Sequence, residues 1–321
     1  MVTNPRASFI LLVYNQEAYI EEAFSAALAQ ECEPIEILIS DDRSTDRTWE
    51  IIQKVASNYS GPHMVTLNQN AQNMGVNPHL NACIAMAKGD IHIAGSGDDI
   101  SYPDRVARVL RVFDAQNPLL VHARVDILTE HGVQDDSRHT GIQLQQPRDL
   151  CAAARSQSLY IGATACWSRE LFDIFGPVPN LGVFEDLILG FRASLLDRVG
   201  FIDAPLVAYR TEVGISQLPR HIKSRADWTA HRHRELTRIC NTYKLRKADA
   251  NTAGLAPTHA VFEVLEQCLN EAQLRLEAND LPLSSLLFRH ALHPIKALRL
   301  LISERLRMRK NLRRSSQSTA P

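Results

Sequence analysis

The sequence predicts an α/β protein with a mostly parallel sheet covered by helices. Apolar runs of strand length, such as SFILLVY at 8–14 and IEILIS at 35–40, alternate with segments whose apolar residues recur at helical spacing. Strands separated by helices form βαβ units, in which the strands run parallel. The near-continuous apolar character of these runs is typical of strands buried on both faces.

The helices between the first strands are predicted from apolar spacing and from residues that favour helix ends. Ile20 and Phe24 fall on one face of the first helix. The second helix has Ser44 or Thr45 as its N-cap, because short hydroxyl side chains accept hydrogen bonds from the first backbone N–H groups of a helix. The third helix places Pro78 at its first helical position, where the missing N–H of proline is tolerated.

Further strands and a helix continue the alternation. The strands are MVTLN at 64–68, IHIAG at 91–95 and LLVHARVDIL at 119–128, and the helix is YPDRVARVLRVFDAQ at 102–116. From 130 to 160 the sequence is polar and aperiodic, which indicates a loop. Short strands and helices then follow as far as residue 220.

The chain is predicted to contain two parts that meet near residue 220. Residues 1–220 carry the α/β pattern. Residues 221–321 are long mixtures of charged and apolar residues with few glycines, which is typical of helices. The 321 residues therefore form one large domain with a helical C-terminal extension.

Composition excludes several classes of protein. The formal net charge of −1 predicts no strongly acidic or basic partner, and the α/β part has no basic face for nucleic acid. The six cysteines are scattered without a CxxC pair, so neither a disulfide framework nor a zinc site is expected. We expect them to be free thiols in the core of a protein from the reducing cytosol. No stretch reaches the roughly 18 apolar residues of a membrane span, and the N-terminal apolar run is better interpreted as a strand than as a signal peptide.

Polar residues stand where three of the predicted strands end. Asp98 and Asp99 follow the fourth strand, Asp41 and Asp42 the second, and Tyr14 the first. In open α/β sheets, ligands bind at the carboxyl ends of the strands. Adjacent carboxylates repel each other unless a cation offsets their charge, and oxygen ligands suit Mg²⁺ or Mn²⁺. The alternative for such a pair is a solvated turn in which one aspartate caps the next helix.

Seven motifs occur in an order that is similar to that of one enzyme family. They are VYN at 13–15, SDDRSTD at 40–46, NMG at 73–75, AKGD at 87–90, GSGDD at 95–99, FEDLILGFR at 184–192 and PLVAYR at 205–210. This set resembles the family 2 glycosyltransferases, which have the GT-A (Rossmann-like) fold. The resemblance covers residues 7–216.

The sequence departs from the family pattern at two positions. Members often have an aspartate at the start of the D-x-D motif, where this chain has Ser96 or Gly97. Members also often have a histidine shortly after the Y-R pair, where this chain has Glu212. Glu212 either replaces that histidine as a hard oxygen ligand of the metal or is an ordinary surface residue.

The resemblance implies a nucleotide-sugar donor, most often a UDP or dTDP sugar, and a divalent cation, Mn²⁺ or Mg²⁺. Tyr14 and the backbone of Asn15 would lie beside the base, and Asp41 would accept the N–H of a uracil-type base. Simple strand-end packing is the alternative for Tyr14.

The same resemblance assigns the residues near the diphosphate. Asp98 would approach the ribose or the metal, and Asp99 would hold the metal against the diphosphate. Asn73 either contacts the nucleotide or shapes a turn. The small residues Gly95 to Gly97 are expected to leave room for the nucleotide at the strand end.

The E-D pair, Glu185 and Asp186, is expected at the part of the site that binds the acceptor. The resemblance makes Asp186 the base of an inverting, single-displacement transfer, with Glu185 and Trp167 lining the acceptor pocket. The alternatives are that the two acids only cap a helix and that Trp167 is a core residue. The expected acceptor is a glycan or a lipid-linked glycan in surface polysaccharide or lipopolysaccharide synthesis, with addition of a single sugar.

Two other classes of function are considered. A nucleotidyltransferase would need a glycine-rich phosphate loop after the first strand, and YNQEAYI has no glycine. The absence of G-x-G-x-x-G and of G-x-x-x-x-G-K-[ST] argues against dehydrogenases and P-loop NTPases. A non-catalytic relative that only binds a sugar nucleotide stays open because of the two departures from the pattern.

The C-terminal segment HPIKALRLLISERLRMRKNLRRSSQ is basic and amphipathic. Such helices bind anionic membrane surfaces. We therefore expect a cytoplasmic protein that docks peripherally at the inner membrane face. The alternative is a solvated helix end whose apolar face packs on the preceding helices.

Overall fold

The computed structural model describes residues 4–135, 143–145, 149–211, 224–282, 284–285 and 294–317. The chain divides into two compact units. The first, called here the sheet unit, comprises Met1–Asn180, Phe184–Ser216 and Thr252–Gly254, and the second, the helical unit, comprises Leu181–Val183, Gln217–Asn251 and Leu255–Pro321. The boundary predicted at residue 220 lies outside the described residues.

The sheet unit is built on nine strands. They are β1 (Ala7–Val13), β2 (Glu36–Asp41), β3 (Met64–Gln69), β4 (Ile91–Ser96), β5 (Ile100–Ser101), β6 (Leu120–Thr129), β7 (Gly132–Asp135), β8 (Cys166–Ser168) and β9 (Val199–Arg210). Their order is β3-β2-β1-β4-β8-β6-β9-β5, with β7 paired to β6. The strands β3, β2, β1 and β4 are mutually parallel, and so are β6 and β9. The predicted α/β fold with a mostly parallel sheet is confirmed.

Ten helices accompany the strands in the described part of the chain. In the sheet unit they are α1 (Ile20–Leu28), α2 (Thr48–Ser57), α3 (Val76–Met86), α4 (Arg105–Gln116), α5 (Leu150–Arg155), α6 (Arg169–Phe175) and α7 (Glu185–Leu195). Beyond the sheet unit come α8 (Arg225–Thr252), α9 (Ala260–Asp280) and α10 (Pro294–Gln317), so the helical C-terminal extension is confirmed.

The core of the sheet unit lies between the parallel strands and the helices. Every residue of β2 is buried, and six of the seven in β1 are. On α1 the buried side chains include Ile20 and Phe24, as the spacing predicted. Ile52 of α2 packs into the same cluster. Burial of apolar area is the main favourable term in folding, so these residues hold the strand ends in place.

Two predicted helix starts are wrong. The second helix begins at Thr48 rather than after Ser44 or Thr45, because those residues make other bonds. The Ser44 hydroxyl donates to Asp41, and the Thr45 N–H donates to Asn15 Oδ1 at 2.8 Å. The third helix begins at Val76, which places Pro78 two residues inside it.

The region predicted as a loop from 130 to 160 contains regular structure. It includes the strand β7, a 3-10 turn at Gln143–Gln145 and the helix α5. The Asp149 side chain accepts the N–H groups of Cys151 and Ala152 and so caps α5. Elements this short show little periodicity, which is why the sequence pattern missed them. Residues 136–142 and 146–148 lie outside the described part.

The glycines before the paired aspartates were expected to leave room for a nucleotide, but the position that a side chain would take at each of them is already occupied. A Cβ on Gly95 would lie 2.5 Å from the Phe9 ring and 2.6 Å from Leu11 Cδ1. A Cβ on Gly97 would meet the Gln16 amide oxygen. The space beside both glycines is therefore already filled by side chains of the sheet unit.

Among the buried histidines of the sheet unit, His122 and His92 have the most strongly lowered pKa values and are held neutral. Burial lowers the pKa of His122 to about 4, and burial together with the nearby Arg169 lowers that of His92 to about 4. The His122 ring stacks on Phe201 with 4.9 Å between ring centroids. In the unfolded chain each histidine would take up a proton below its ordinary pKa of about 6.5.

The buried His122 should make the protein less stable in acid. Between pH 6.5 and 4 the unfolded chain binds a proton that the folded protein excludes, so the free energy of unfolding falls as the pH falls. His122→Phe keeps a ring against Phe201 and removes this proton. On going from pH 7 to 4.5, urea titrations should show a loss about 2 kcal/mol smaller for His122→Phe than for the wild type.

The control for this prediction is the exposed His131, whose replacement by glutamine should leave the pH dependence unchanged. If the free energy of unfolding changed equally with pH in the wild type and in His122→Phe, His122 would not contribute to the loss of stability in acid.

None of the helices in the described part of the chain combines the length and apolar character needed to cross a bilayer.

Candidate functional site

The strand registers bring the ends of β1, β2 and β4 to one edge of the sheet. Leu12 in β1 lies opposite Ser96 in β4, and Val13 lies opposite Asp41 in β2. Tyr14 and Asp98 therefore emerge from neighbouring strands at the same edge. This edge is where ligands bind in sheets of this type.

Asp98 and Asp99 are buried at this edge, with 8% and 7% of their surface exposed. The Ser96 hydroxyl donates to Asp98 Oδ1, and the backbone N–H of Arg210 donates to Asp99 Oδ1 at 2.9 Å. The Arg210 guanidinium donates through Nε to the Asp98 carbonyl oxygen at 3.0 Å. These bonds use one oxygen of each carboxylate.

The charge of this pair is only partly balanced. Burial, and then the negative charge of Asp98, raise the pKa of Asp99 to about 8, and the positive charges of Arg105 and Arg210 oppose that rise only in part. Two adjacent carboxylates in such surroundings favour the binding of a cation.

Oxygen ligands of this kind fit a divalent cation. Mg²⁺ is usually held by one or two carboxylates together with substrate phosphates and waters, so a pair of aspartates is a sufficient protein contribution. Within the described residues no three or more histidine, cysteine, aspartate or glutamate side chains gather into a metal-binding group. Glu212, the third predicted ligand, lies outside the described residues.

Tyr14 is exposed at the edge, with 45% of its surface accessible, so part of its ring is open to a ligand. Asn15 follows in a left-handed conformation with φ of 50°. Its Oδ1 accepts the Thr45 N–H at 2.8 Å, and its N–H donates to Ser44 Oγ at 2.9 Å. Asn15 therefore ties the loop after β1 to the loop after β2.

Asp41 is fully buried, and both its oxygens are hydrogen-bonded. It accepts the Ser44 N–H at 3.1 Å and the Gln69 amide at 2.9 Å, both through Oδ2, and the Ser44 hydroxyl through Oδ1. A base N–H would therefore have to displace one of these donors to reach this carboxylate directly.

Asp42 holds the loop that follows β3. Its carboxylate accepts the N–H groups of Met74 and Gly75, each at 2.9 Å, and the Asn70 amide at 2.8 Å. Asn73 lies in this loop with its side chain exposed. The adjacent acids Asp41 and Asp42 thus have different tasks, which their sequence positions did not reveal.

Glu185 and Asp186 are the first two residues of α7, where the helix dipole favours negative charge. Burial raises the pKa of Glu185. Glu185 lies beside Gly162, where an added Cβ would stand 3.3 Å from Glu185 Oε1 and 3.9 Å from Asp186 Cβ.

The segment after Gly162 connects these acids to β4. The Ala94 N–H, two residues before Ser96, donates to the Ala165 carbonyl at 2.9 Å. The carbonyl of Ala165 also accepts from the buried Arg105 at 3.4 Å. The segment 162–165 is therefore the link between the start of α7 and the strand that carries the aspartate pair.

Trp167 lies in the interior with 2% of its surface exposed. Its ring N–H donates to the Tyr160 hydroxyl at 3.4 Å. Tyr160 is itself buried, and its pKa is raised by that burial and by the charges of Asp186 and Glu185. The prediction that Trp167 lines an acceptor pocket is not supported by this geometry, which matches the alternative of a core residue.

A family model described as "Glycosyl transferase family 2" matches residues 8–174, more than half of the 321 residues. The chain belongs to glycosyl transferase family 2. The predicted resemblance is confirmed.

Two curated relatives are similar to about a third of this family 2 chain. EpsE of Bacillus subtilis is 34% identical over 108 residues, which are 34% of this chain and 38% of EpsE. The abequosyltransferase RfbV of Salmonella typhimurium is 33% identical over 111 residues, which are 34% of this chain and 33% of RfbV. In both cases the match spans well under half of the relative's own length.

Two solved structures share the fold of this family 2 chain. The S. aureus protein TarS (residues 1–349) in complex with UDP-GlcNAc is 18% identical, with a TM-score of 0.57, and the match covers 94% of this chain and 92% of that one. The mannosyltransferase PcManGT of Pyrobaculum calidifontis, in complex with GDP-Man and Mn²⁺, is also 18% identical, with a TM-score of 0.57 and coverage of 97% and 88%.

Two arginines of this family 2 chain that support the site were not found from its sequence. Arg105 is almost completely buried, and its Nη1 donates to Ser101 Oγ at 2.8 Å. Arg210 stands 4.5 Å from the centre of the Tyr19 ring. Arg210 had a signal, because the Y-R pair ends the last predicted strand, whereas the helical pattern around Arg105 carried none.

Proposed function

We propose that this family 2 glycosyltransferase moves one sugar from a UDP or dTDP sugar to a hydroxyl of a glycan or lipid-linked acceptor, with inversion. The observation that carries the proposal is the buried Asp98–Asp99 pair, whose charge is only partly balanced, at the edge where Tyr14 is exposed. The reaction belongs to residues 1–220 and serves surface polysaccharide or lipopolysaccharide synthesis. It takes place in the cytoplasm at the inner membrane face.

The donor base packs on Tyr14. An exposed aromatic ring beside polar groups is the kind of surface that a planar base uses. Asn15 holds the backbone beside Tyr14 in place through its bonds to the loop after β2. Asp41 contributes by fixing Ser44 and Gln69, and it accepts a base N–H only when one of them gives way.

Asp98 and Asp99 would hold Mn²⁺ or Mg²⁺ through the carboxylate oxygens that are not used in the described hydrogen bonds. A cation held there would supply positive charge against the nucleoside diphosphate that leaves. Ser96 orients the Asp98 carboxylate, and the Arg210 backbone orients that of Asp99. The solved structures of TarS and PcManGT contain UDP-GlcNAc and GDP-Man, and these ligands support the nucleotide-sugar class of donor.

Asp186 takes the proton from the acceptor hydroxyl. Its place in the first turn of α7 favours the ionised form, which is the form a base needs. Glu185 lies beside Asp186 and lines the acceptor side, and burial raises its pKa. One displacement at the anomeric carbon inverts its configuration.

Thermal unfolding with nucleoside diphosphates tests the donor site without an acceptor. UDP or dTDP should raise the Tm in the presence of Mn²⁺ and have little effect when the metal is chelated, because only a ligand of the folded state stabilises it. The same concentrations of ADP serve as the control. No shift with any nucleoside diphosphate would contradict the proposal, and binding without sugar transfer would identify a non-catalytic relative.

A further inference from the structure

The last helix, α10, has one face that packs inside the helical unit. Among its side chains described by the structure (298–311), Leu301 and Glu304 are buried. Leu301 forms a cluster with Leu274 and Ala278 of α9. This face accounts for the packing of α10.

An ion-pair network fixes the same face. Glu304 accepts from Arg232 Nε at 2.8 Å and from Arg275 Nη1 at 3.0 Å. Both Glu304 and Arg232 are buried, so the removal of either would weaken a buried network in which Arg275 and Glu235 are the remaining partners. The orientation of α10 about its own axis within the helical unit is therefore well defined.

A second apolar stripe lies on the other side of α10. Leu298, Ile302 and Leu306 are 40%, 49% and 58% exposed. Residues four apart lie on one face of a helix, so these three side chains form a continuous stripe. With about 100° between successive residues, Ile302 points well away from Glu304, which is two residues further on. The stripe is not needed for the packing of this helix.

Basic residues flank the stripe. Arg305 and Arg309 lie along one side of it, Arg299 and Lys310 along the other, and all four are exposed. Within the described part of the chain none of the four forms an ion pair with an acidic side chain. The single acid between residues 298 and 311 is Glu304, which is already paired on the buried face.

We propose that this face of α10 docks on an anionic phospholipid surface. The apolar stripe enters the boundary between headgroups and acyl chains, and the flanking arginines contact the lipid phosphates. Charge complementarity selects this occupant over a second copy of the chain, since two copies would bring the same basic residues together. A nucleic acid would match the charges but offers no surface for three exposed aliphatic side chains.

This inference deepens the proposed function, because a lipid-linked acceptor is presented at such a surface. It rests on the proposed function only for the biological role of the docking, and not for the docking itself. Vesicle binding needs neither donor nor acceptor, so its failure and the failure of sugar transfer are separate results.

Sedimentation of the full chain with vesicles tests the docking. The wild type should bind vesicles of equal parts phosphatidylcholine and phosphatidylglycerol, should not bind phosphatidylcholine alone, and should be released by high salt. The double variant Arg305→Glu/Arg309→Glu should lower the partition coefficient by about 30-fold or more. Ile302→Ser/Leu306→Ser should lower it by about 10-fold or more.

Matched variants control for net charge and for folding. Arg234→Glu/Lys244→Glu makes the same charge change at exposed positions of α8 and should bind as the wild type does. All variants alter exposed side chains, so their Tm values should agree with the wild type. The proposal is overturned if Arg305→Glu/Arg309→Glu and the α8 variant bind equally, if anionic vesicles are not bound at low salt, or if Ile302→Ser/Leu306→Ser dissociates a dimer.

Discussion

Replacing Asp186 with asparagine is expected to lower kcat by a factor on the order of 10² to 10⁴ while donor binding persists. Asparagine keeps the size of the side chain and can still accept the Leu187 N–H, but it cannot take a proton from the acceptor hydroxyl. The helix start should therefore be preserved while the chemistry is lost. Initial rates over a range of donor concentrations would separate kcat from KM.

The control for Asp186→Asn is Asp173→Asn. Asp173 is an exposed residue in the last turn of the short helix α6, so its replacement should leave kcat unchanged. If Asp186→Asn weakened donor binding and lowered the Tm as much as it lowered kcat, Asp186 would be a structural residue of the α7 start, as the capping alternative holds.

The second large effect is expected at Asp99. Asp99→Asn removes one of the two carboxylates that would hold the cation, and kcat/KM should fall by a factor on the order of 10³, since a bound metal supplies several kcal/mol of charge stabilisation. The Tm shift that UDP or dTDP gives with Mn²⁺ should disappear as well. Calorimetric titration of Mn²⁺ with and without nucleotide would measure the loss of metal affinity.

The same variant should be more stable than the wild type when no metal is bound. The pKa of Asp99 is raised to about 8, so between pH 4 and 8 the unfolded chain has released a proton that the folded protein retains, and stability falls as the pH rises. Asparagine has no proton to release and can still accept the Arg210 N–H. An inactive variant with a higher Tm at pH 8 fits this account, and an unchanged activity would show that Asp99 holds no metal.

The sequence predicted the part of the fold that depends on local periodicity. The strands β1 to β4 are apolar and separated by helices, so their parallel pairing and the meeting of their ends follow from general rules. The short strand β8, antiparallel between β4 and β6, did not follow, because three residues cannot show a period. Its place in the sheet is set by contacts with strands distant in the sequence.

Side-chain roles were harder to predict than positions. Asp41 and Asp42 were found, but their division of labour depends on Gln69 and Met74, which come from another strand and its loop. Gly95 was interpreted as space for a ligand, and that space is filled by Phe9 and Leu11. Such outcomes depend on tertiary packing, which a single sequence does not encode in any local pattern.

The buried Arg105 shows the same limit most clearly. Within YPDRVARVLRV it lies at the first helical position, four residues before the apolar Val109, and the sequence does not show what would offset its charge there. In the structure its positive charge opposes the rise in the pKa of Asp99, and it donates to Ser101 Oγ and to the carbonyl of Ala165. A charge buried on the apolar side of a helix becomes visible only when the partner elements are in place.

The measurement that tests the central claim most directly is release of nucleoside diphosphate from a panel of nucleotide sugars, with Mn²⁺ and with EDTA. Water can replace the missing acceptor, so no acceptor needs to be known. We expect release from a UDP or dTDP sugar with Mn²⁺, almost none with EDTA, and almost none from Asp99→Asn under either condition. Release that was equal in EDTA, or equal in Asp99→Asn, would contradict a metal-assisted transfer at the Asp98–Asp99 pair.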